Sequence, residues 1–403
     1  GTEQAIPLLR QALQTMPKND RTFPMKTLTD AAVRTGDVSL AKKCAALEIT
    51  RNNGNTGGWP RRVAILGAMA THFGHLPLAE HFLQQSVRYH QRADDLEGAG
   101  AVINDLGIAQ LEQAKRRLAI RNFRHGMDIA HRLKNRVLLA HSAHNLGEAY
   151  RRAGDLLLSR RYLTEARRAA QSIGDLDGEA QTLHSLGLVE VGLGQLDAAN
   201  AFFAELARVG TRLRSQFHRG QAAIGAGDVA FARDDHALAF RMYSEARRYF
   251  DRGKCESQMR VALYDMGLAS RKLGRFKQAS RLMMKSGTLS SAASDHSMLS
   301  TAMQGLAYLT TEHGTVAQTA GLLAMALLSA LVSDDRAESY PIALASYRDI
   351  LRMLREKKKT TPQVFRREVL GHFHGKTNTV FAEVIGKQLR AVSRGKESEA
   401  KTK

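Results

Sequence analysis

Residues 181–204 read QTLHSLGLVEVGLGQLDAANAFFA, and this stretch is the unit from which most of the chain is built. Leu183, Leu186 and Val189 put an apolar stripe on a first helix, and Gly187 lets another helix backbone come close. Gly194 closes a turn in the left-handed region that glycine adopts at least cost. Ala199 and Phe203 then begin the apolar face of a second helix, so the unit is a helical hairpin.

Sliding this unit along the chain shows a repeat. The small residue of the first helix falls at Gly67, Gly107, Gly147, Gly187, Gly227, Gly267 and Ala307, a spacing of forty residues throughout. An apolar or small residue stands one before each anchor (Leu66, Leu106, Leu146, Leu186, Ala226, Met266, Leu306) and another four before (Val63, Ile103, Ala143, Leu183, Ala223, Leu263, Met303). The turn position seven beyond is Gly74, Ala114, Gly154, Gly194, Asp234, Gly274 and Gly314. Twelve beyond, where the second helix crosses the first, stand Ala79, Ala119, Ser159, Ala199, Ala239, Ala279 and Thr319, all small, as a close crossing requires.

With these residues the chain resembles the tetratricopeptide-repeat family, whose unit is two antiparallel helices with the pattern apolar-x2-Leu-Gly-x2-Tyr, a turn, then Ala-x3-Phe-x2-Ala. The copy nearest that pattern is Ala143, Leu146, Gly147, Tyr150, Gly154, Ser159, Leu163 and Ala166, departing from it at Ser159. The forty-residue period is longer than the family's usual thirty-four. It is similar to the long-helix versions found in kinesin light chains, polarity adaptors and bacterial signal-transduction ATPase regulators. The implied fold is all-α: a right-handed α-solenoid of helical hairpins with a helical C-terminal cap.

Composition agrees. The chain has 403 residues, seven prolines and 6% aromatics, and a repeat array reaches that size as one body because each unit packs on its neighbours. Two cysteines, Cys44 and Cys255, give neither a disulfide framework nor metal spacing, which fits a reducing, cytoplasmic compartment. The most apolar run, AGLLAMALLSALV at 320–332, is too short to span a bilayer and reads as a buried helix. Ala5, Leu9, Ala12 and Pro17 match a second helix with no first helix before it, so the chain reads as a fragment of a longer protein or a processed one.

The expected organisation is a partial repeat and capping hairpin over 1–51, with Leu28 and Thr29 as anchor, Gly36 as turn and Ala41 at the crossing. A loop over 52–60 follows, then seven tandem repeats over 61–330, a helical cap over 331–392 and a disordered basic tail over 393–403. Helices are expected at 320–335, 340–357, 362–373 and 378–392, the second opened by Ser339-Tyr340-Pro341 and the third by Thr361-Pro362. Residues 318–390 also look like the end of the helical sensor arm in bacterial signal-transduction ATPase transcription regulators.

The net charge of +20 suggests an acidic partner. Paired arginines recur along the chain, which reads either as solvated helix faces or as a basic ridge for nucleic acid; Lys357, Lys358, Lys359, Arg366 and Arg367 are the candidate contacts for the latter. GHFHGKT at 371–377 has three residues between its glycines where a phosphate-binding loop has four, and no strand precedes it. His141, His144 and Glu148 share a helical face at i, i+3 and i+7, but no second cluster completes a metal site. No nucleophile is paired with a base by a recognisable motif, so neither an enzyme nor a cofactor is expected.

What the fold offers is a groove. In the family it resembles, first helices line a concave surface and polar residues at fixed phases meet a peptide or protein partner. The matching positions here are Asp105, Asn145, Ser185 and Asp265 two before the anchor, Glu148 and Asp228 one after, and Arg151 and Arg271 four after, with His141, His144 and His184 beside them. Asn145-Leu146-Gly147 reproduces the Asn-Leu-Gly of long-period relatives, and an amide there donates to and accepts from a partner backbone. The expected function is a non-catalytic interaction scaffold, in one reading the sensor arm of a larger signalling protein. The alternative is binding of nucleic acid, RNA included, or of an acidic partner through a basic face.

Overall fold

The computed structural model describes residues 22–51, 59–333, 336–357 and 359–373, together with Pro7, Ile385, Gly386 and residues 388–390. Every regular element among the described residues is an α-helix, and no strand occurs there. The chain divides into two compact units, Gly1–Val189 and Glu190–Lys403. The first contains α1 (Thr22–Thr35), α2 (Val38–Arg51), α3 (Trp59–His72), α4 (Leu76–Arg92), α5 (Leu96–Glu112), α6 (Arg116–Leu133), α7 (Arg136–Ala153) and α8 (Leu156–Ile173). The unit boundary lies inside α9 (Leu176–Gly192). The second unit continues with α10 (Leu196–Arg212), α11 (Gln216–Ala232), α12 (His236–Arg252), α13 (Glu256–Lys272), α14 (Phe276–Ala292), α15 (His296–His313), α16 (Val316–Val332), α17 (Arg336–Glu356) and α18 (Pro362–Gly371).

A twenty-residue clock in the turns sets this architecture. A residue with positive φ stands at Gly74, Asp94, Ala114, Lys134, Gly154, Gly174, Gly194, Arg214, Asp234, Lys254, Gly274 and Ser294. The residue after each donates its N–H to the carbonyl five back, as Asp95 does to His90 at 3.0 Å, Asp155 to Tyr150 at 3.0 Å and Asp235 to Ala230 at 3.0 Å. This is the bond that ends a helix on a left-handed residue. At seven of these twelve junctions the same residue also caps the next helix with its side chain. The side chains of Asp95, Asn135, Asp155, Asp175, Asp235 and Asp295 accept the N–H three residues on at 2.8–3.1 Å, and Ser215 accepts that of His218 at 3.3 Å. One residue thus closes one helix and opens the next.

The turns add one feature the sequence did not suggest and correct one expectation. The left-handed geometry also recurs at the turns between hairpins from Asp94 to Ser294, where five of the six residues are not glycine. Ala114 and Asp234 take it with φ of 57° and 58°, held by the flanking hydrogen bonds against a penalty of about 1–2 kcal/mol. Gly314 goes the other way. Its backbone is extended, with φ −115° and ψ −175°, and Thr315 follows with a reciprocal capping box to Gln318. The clock stops there.

Helix bounds also shift. Trp59 and Pro60, expected in a loop, form the first turn of α3, and α16 starts at Val316 because Thr315 caps it. The helix expected to open at Tyr340-Pro341 begins at Arg336, leaving Pro341 inside α17. The first-repeat residues Ala5, Leu9, Ala12 and Pro17, residues 52–58, most of the expected helix at 378–392 and the basic tail lie outside the described residues.

The anchor glycines do what their spacing implies. A Cβ added at Gly67, Gly107, Gly147, Gly227 or Gly267 would sit 2.4–2.7 Å from Leu83, Phe123, Leu163, Tyr243 or Met283, in every case the side chain sixteen residues on. Those five side chains are at most 3% exposed, and the seven small residues at the crossing are at 0%. The large residue of the second helix therefore sits flat on the bare backbone of the first. A second crossing was not expected. Ser86 Oγ donates to the Pro60 carbonyl at 2.7 Å and Ser286 Oγ to that of Arg260 at 2.8 Å, both twenty-six residues back.

Replacing Gly147 with Leu forces the Leu163 side chain out of its seat. The expected loss is about 1–3 kcal/mol, read as a lower melting midpoint. An unchanged midpoint contradicts the seating of Leu163 on Gly147.

Candidate functional site

In the first unit the first helices pack side by side, α3 against α5 and α5 against α7. A polar cavity of about 310 Å³ is walled by α5, α7 and the start of α9. Asp105, His141, His144 and Asn145, all expected in a groove, converge on it. Asn145 Nδ2 donates to Asn104 Oδ1 at 3.1 Å, and His144 Nδ1 lies 3.1 Å from Thr182 Oγ1. The hydroxyl of Thr182 donates in turn to the Gly178 carbonyl at 2.8 Å. These side chains come from equivalent faces of successive repeats, which is why helix phase alone assembles them.

Burial without a compensating cation marks Asp105. It raises the carboxyl from its ordinary 3.8 to about 6, against a small opposing pull from His141. Burial also depresses His144, with Glu148 pulling it the other way. One turn along α7, burial works to raise Glu148, but the fork of Arg151 and a hydrogen bond from Ser185 outweigh it and hold the carboxyl below its ordinary value. That fork closes at 3.1 Å from Nε and 2.9 Å from Nη2. His184 is half-buried on α9 and Ser185 is buried.

The second unit repeats the theme with different partners. Tyr243 Oη donates to Asp228 Oδ1 at 2.8 Å, and burial takes Asp228 to about 6. Asp265 is raised well above its ordinary value by burial and by the charge of Asp228. Arg271 is half-buried and acts on Tyr264, whose phenol burial raises to about 12. Among the described residues no group of three or more His, Cys, Asp or Glu is placed to hold a metal ion, His141, His144 and Glu148 included.

The basic candidates differ in exposure. Lys357 and Arg367 are exposed, Arg366 is half-buried, and Lys358 lies outside the described residues. Lys359 Nζ donates to the Thr311 carbonyl at 2.9 Å near the end of α15, so its charge serves the fold. No described helix is long and apolar enough to cross a membrane.

Sequence reasoning missed Asn104, Thr182 and Tyr243. Asn104 was legible, because it occupies the repeat phase of His144 and His184. Tyr243 was legible only as a core residue, since its sequence position says nothing of where its hydroxyl ends.

Residues 138–210 match the model of the tetratricopeptide-repeat family. No curated protein matches the chain. Among solved structures, the apo form of the quorum sensor NprR from B. thuringiensis is similar at a TM-score of 0.58 and 10% identity, over 87% of this chain and 98% of that one. A Rap protein complexed with Competence and Sporulation Factor is similar at 0.52 and 12%, over 85% and 99%. A signal-transduction ATPase with numerous domains and a tetratricopeptide-repeat sensor, from Pyrococcus horikoshii, is similar at 0.50 and 12%. That match covers 96% of this chain but 52% of the other, so the chain spans about half of that protein's length. At these identities the likeness is one of fold: a helical-repeat protein built of paired helices.

Asp105 supplies a pH test. The folded state keeps its proton up to about pH 6 while the unfolded chain releases it near 3.8, so stability falls as pH rises through that window. Asp105→Asn removes this loss, and the expected gain at pH 7 is about 1–3 kcal/mol. The gain should shrink toward zero below 3.8, where the carboxyl is neutral in both states. Melting midpoints across pH measure it, and identical curves for variant and parent contradict the burial of a charged Asp105.

Proposed function

We propose that the chain is a non-catalytic scaffold that binds a peptide or protein partner along its first helices. The observation that carries this is the polar cavity in the first unit, where amide, hydroxyl, imidazole and carboxyl groups of successive repeats face one space of about 310 Å³. Such a surface suits a peptide backbone, whose N–H and C=O groups need both donors and acceptors. The contact residues in this reading are Asp105, His141, His144, Asn145, Glu148, Arg151, His184 and Ser185, with Asp228, Asp265 and Arg271 as their counterparts in the second unit. Asn145 and Arg151 are preorganised by Asn104 and Glu148, which lowers the ordering cost of binding.

The finer parts of the reading are proposed with it. The hairpins stack with a right-handed twist, the helices after Gly314 cap the array, the repeat type is the forty-residue one over 61–330, and the protein works in the cytoplasm. The fold shared with a quorum sensor, a Rap protein bound to a signalling factor and a sensor-bearing ATPase supports a regulatory role, as the sensing arm of a larger protein.

Selection of a displayed peptide library on the intact chain tests the proposal. Recovered peptides should lose about tenfold or more in affinity on the Asn145→Ala, Arg151→Ala double variant, the scale of a lost polar anchor. The variant should still fold, with a cost of about 1 kcal/mol for the acceptor left on Asn104. Native affinity in the double variant sinks the groove. Binding to an oligonucleotide instead, with a salt slope flattened by neutralising Lys357, Lys358 and Lys359, would replace it with nucleic-acid recognition.

A further inference from the structure

The second unit holds a cavity of a different character, away from the polar groups described above. About 700 Å³ of space opens between α14, α15 and α16, with His372 and Phe373 at its edge. Its walls are aliphatic, built from Leu306, Leu309, Leu322, Leu328, Met284 and Met325, and no Asp or Glu lines it. The volume is within the range of about 300–1,000 Å³ typical of ligand sites. Met284 and Met325 at the mouth are 47% and 50% exposed, so two large apolar side chains face water at the rim of an apolar hollow. Methionines adapt their shape to an incoming apolar surface, which suits them to such a rim.

The surroundings state the charge of what fits. Phe276 and His313, with ring centroids 4.2 Å apart, line the cavity and also a neighbouring depression formed with Arg275, Lys277 and Arg281. Those three cations are exposed, and none makes an ion pair among the described residues. A carboxylate oxygen of Glu312 lies 3.7 Å from His313 Nε2. Arg275 precedes α14 without a side-chain cap, and no acidic residue stands in that helix's first turn, so the positive end of its dipole is uncompensated as well.

We propose that this face docks an amphipathic helix of a partner protein, its apolar side chains in the cavity and its acidic flank on Arg275, Lys277 and Arg281. A small ligand buries about 70–90% of its surface, which the wide mouth between Met284 and Met325 does not provide. A helix presenting apolar residues at i, i+3, i+4 and i+7 covers such a mouth and fills it at once. Charge complementarity orients it and speeds the encounter. The site is separate from the first-helix groove, so the chain joins two partners.

The test uses the full chain and two fluorescein-labelled peptides of the same Leu and Glu composition, one with Leu in the helical pattern and one scrambled. Fluorescence anisotropy should show the patterned peptide binding about tenfold or more tighter than the scrambled one. Met325→Glu should weaken it by a similar factor, and the Arg275→Glu, Lys277→Glu, Arg281→Glu variant should weaken it and flatten its salt dependence. All altered residues are exposed, and an unchanged melting curve verifies the fold. The Asn145→Ala, Arg151→Ala variant should bind the peptide as the parent does, which separates this site from the groove. Equal binding of both peptides, or indifference to Met325→Glu, overturns the proposal. So does saturable binding of sodium laurate in the cavity with no binding of the patterned peptide, which assigns the hollow to a small amphiphile.

Discussion

A large side chain resting on a bare glycine is the contact on which the rest of this molecule depends. Five times over, the side chain sixteen residues beyond the anchor glycine lies within 2.7 Å of where a Cβ would be. That contact sets the distance between the two helices of a hairpin and fixes which face of each is buried. Once that face is fixed, the phase of the remaining positions follows, and those positions carry Asp105, Asn145, Glu148, Asp228 and Asp265. In α11 the principle is carried further, where Gly220, Gly225 and Gly227 each receive an aromatic ring, from Phe250, Phe203 and Tyr243.

The turns contribute the second constraint. Where one residue ends a helix and caps the next, as at Asp95, Asp155 and Asp235, lengthening or shortening either helix loses a hydrogen bond. The twenty-residue spacing of the turns holds from Gly74 to Ser294, and within each unit polar residues spaced by forty are carried to equivalent places. Where that sharing stops, at the extended Gly314, the packing changes too. The last helices bury a single larger core with Tyr347 and Phe365 stacked at 5.6 Å, and the apolar cavity opens beside this change of register.

Much of this could be read from the sequence, and the physical reason is repetition. A lone glycine such as Gly147 says little, but the same glycine at a fixed interval, with a small residue twelve on, specifies a crossing. The left-handed turns at Lys134, Arg214 and Lys254 were not legible, because residue type argues against that geometry and the flanking hydrogen bonds hold it. Among groove residues, Asp105 and Asn145 followed from phase, and Asn104 shares the phase of His144, but the pairings of Asn145 with Asn104 and of His144 with Thr182 did not follow, since pairing depends on side-chain reach. The apolar cavity was hidden because its walls come from three helices, with His372 and Phe373 joining from beyond the repeat.

The central claim is that Gly147 exists to seat Leu163, and a double-mutant cycle measures that contact directly. Gly147→Ala puts a Cβ 2.6 Å from Leu163 Cγ and should lower stability in the parent. In a Leu163→Ala background the same change should cost less by about 1 kcal/mol or more, because the opposing branch is gone. Strictly additive effects would mean the two residues do not bear on each other and would contradict the account.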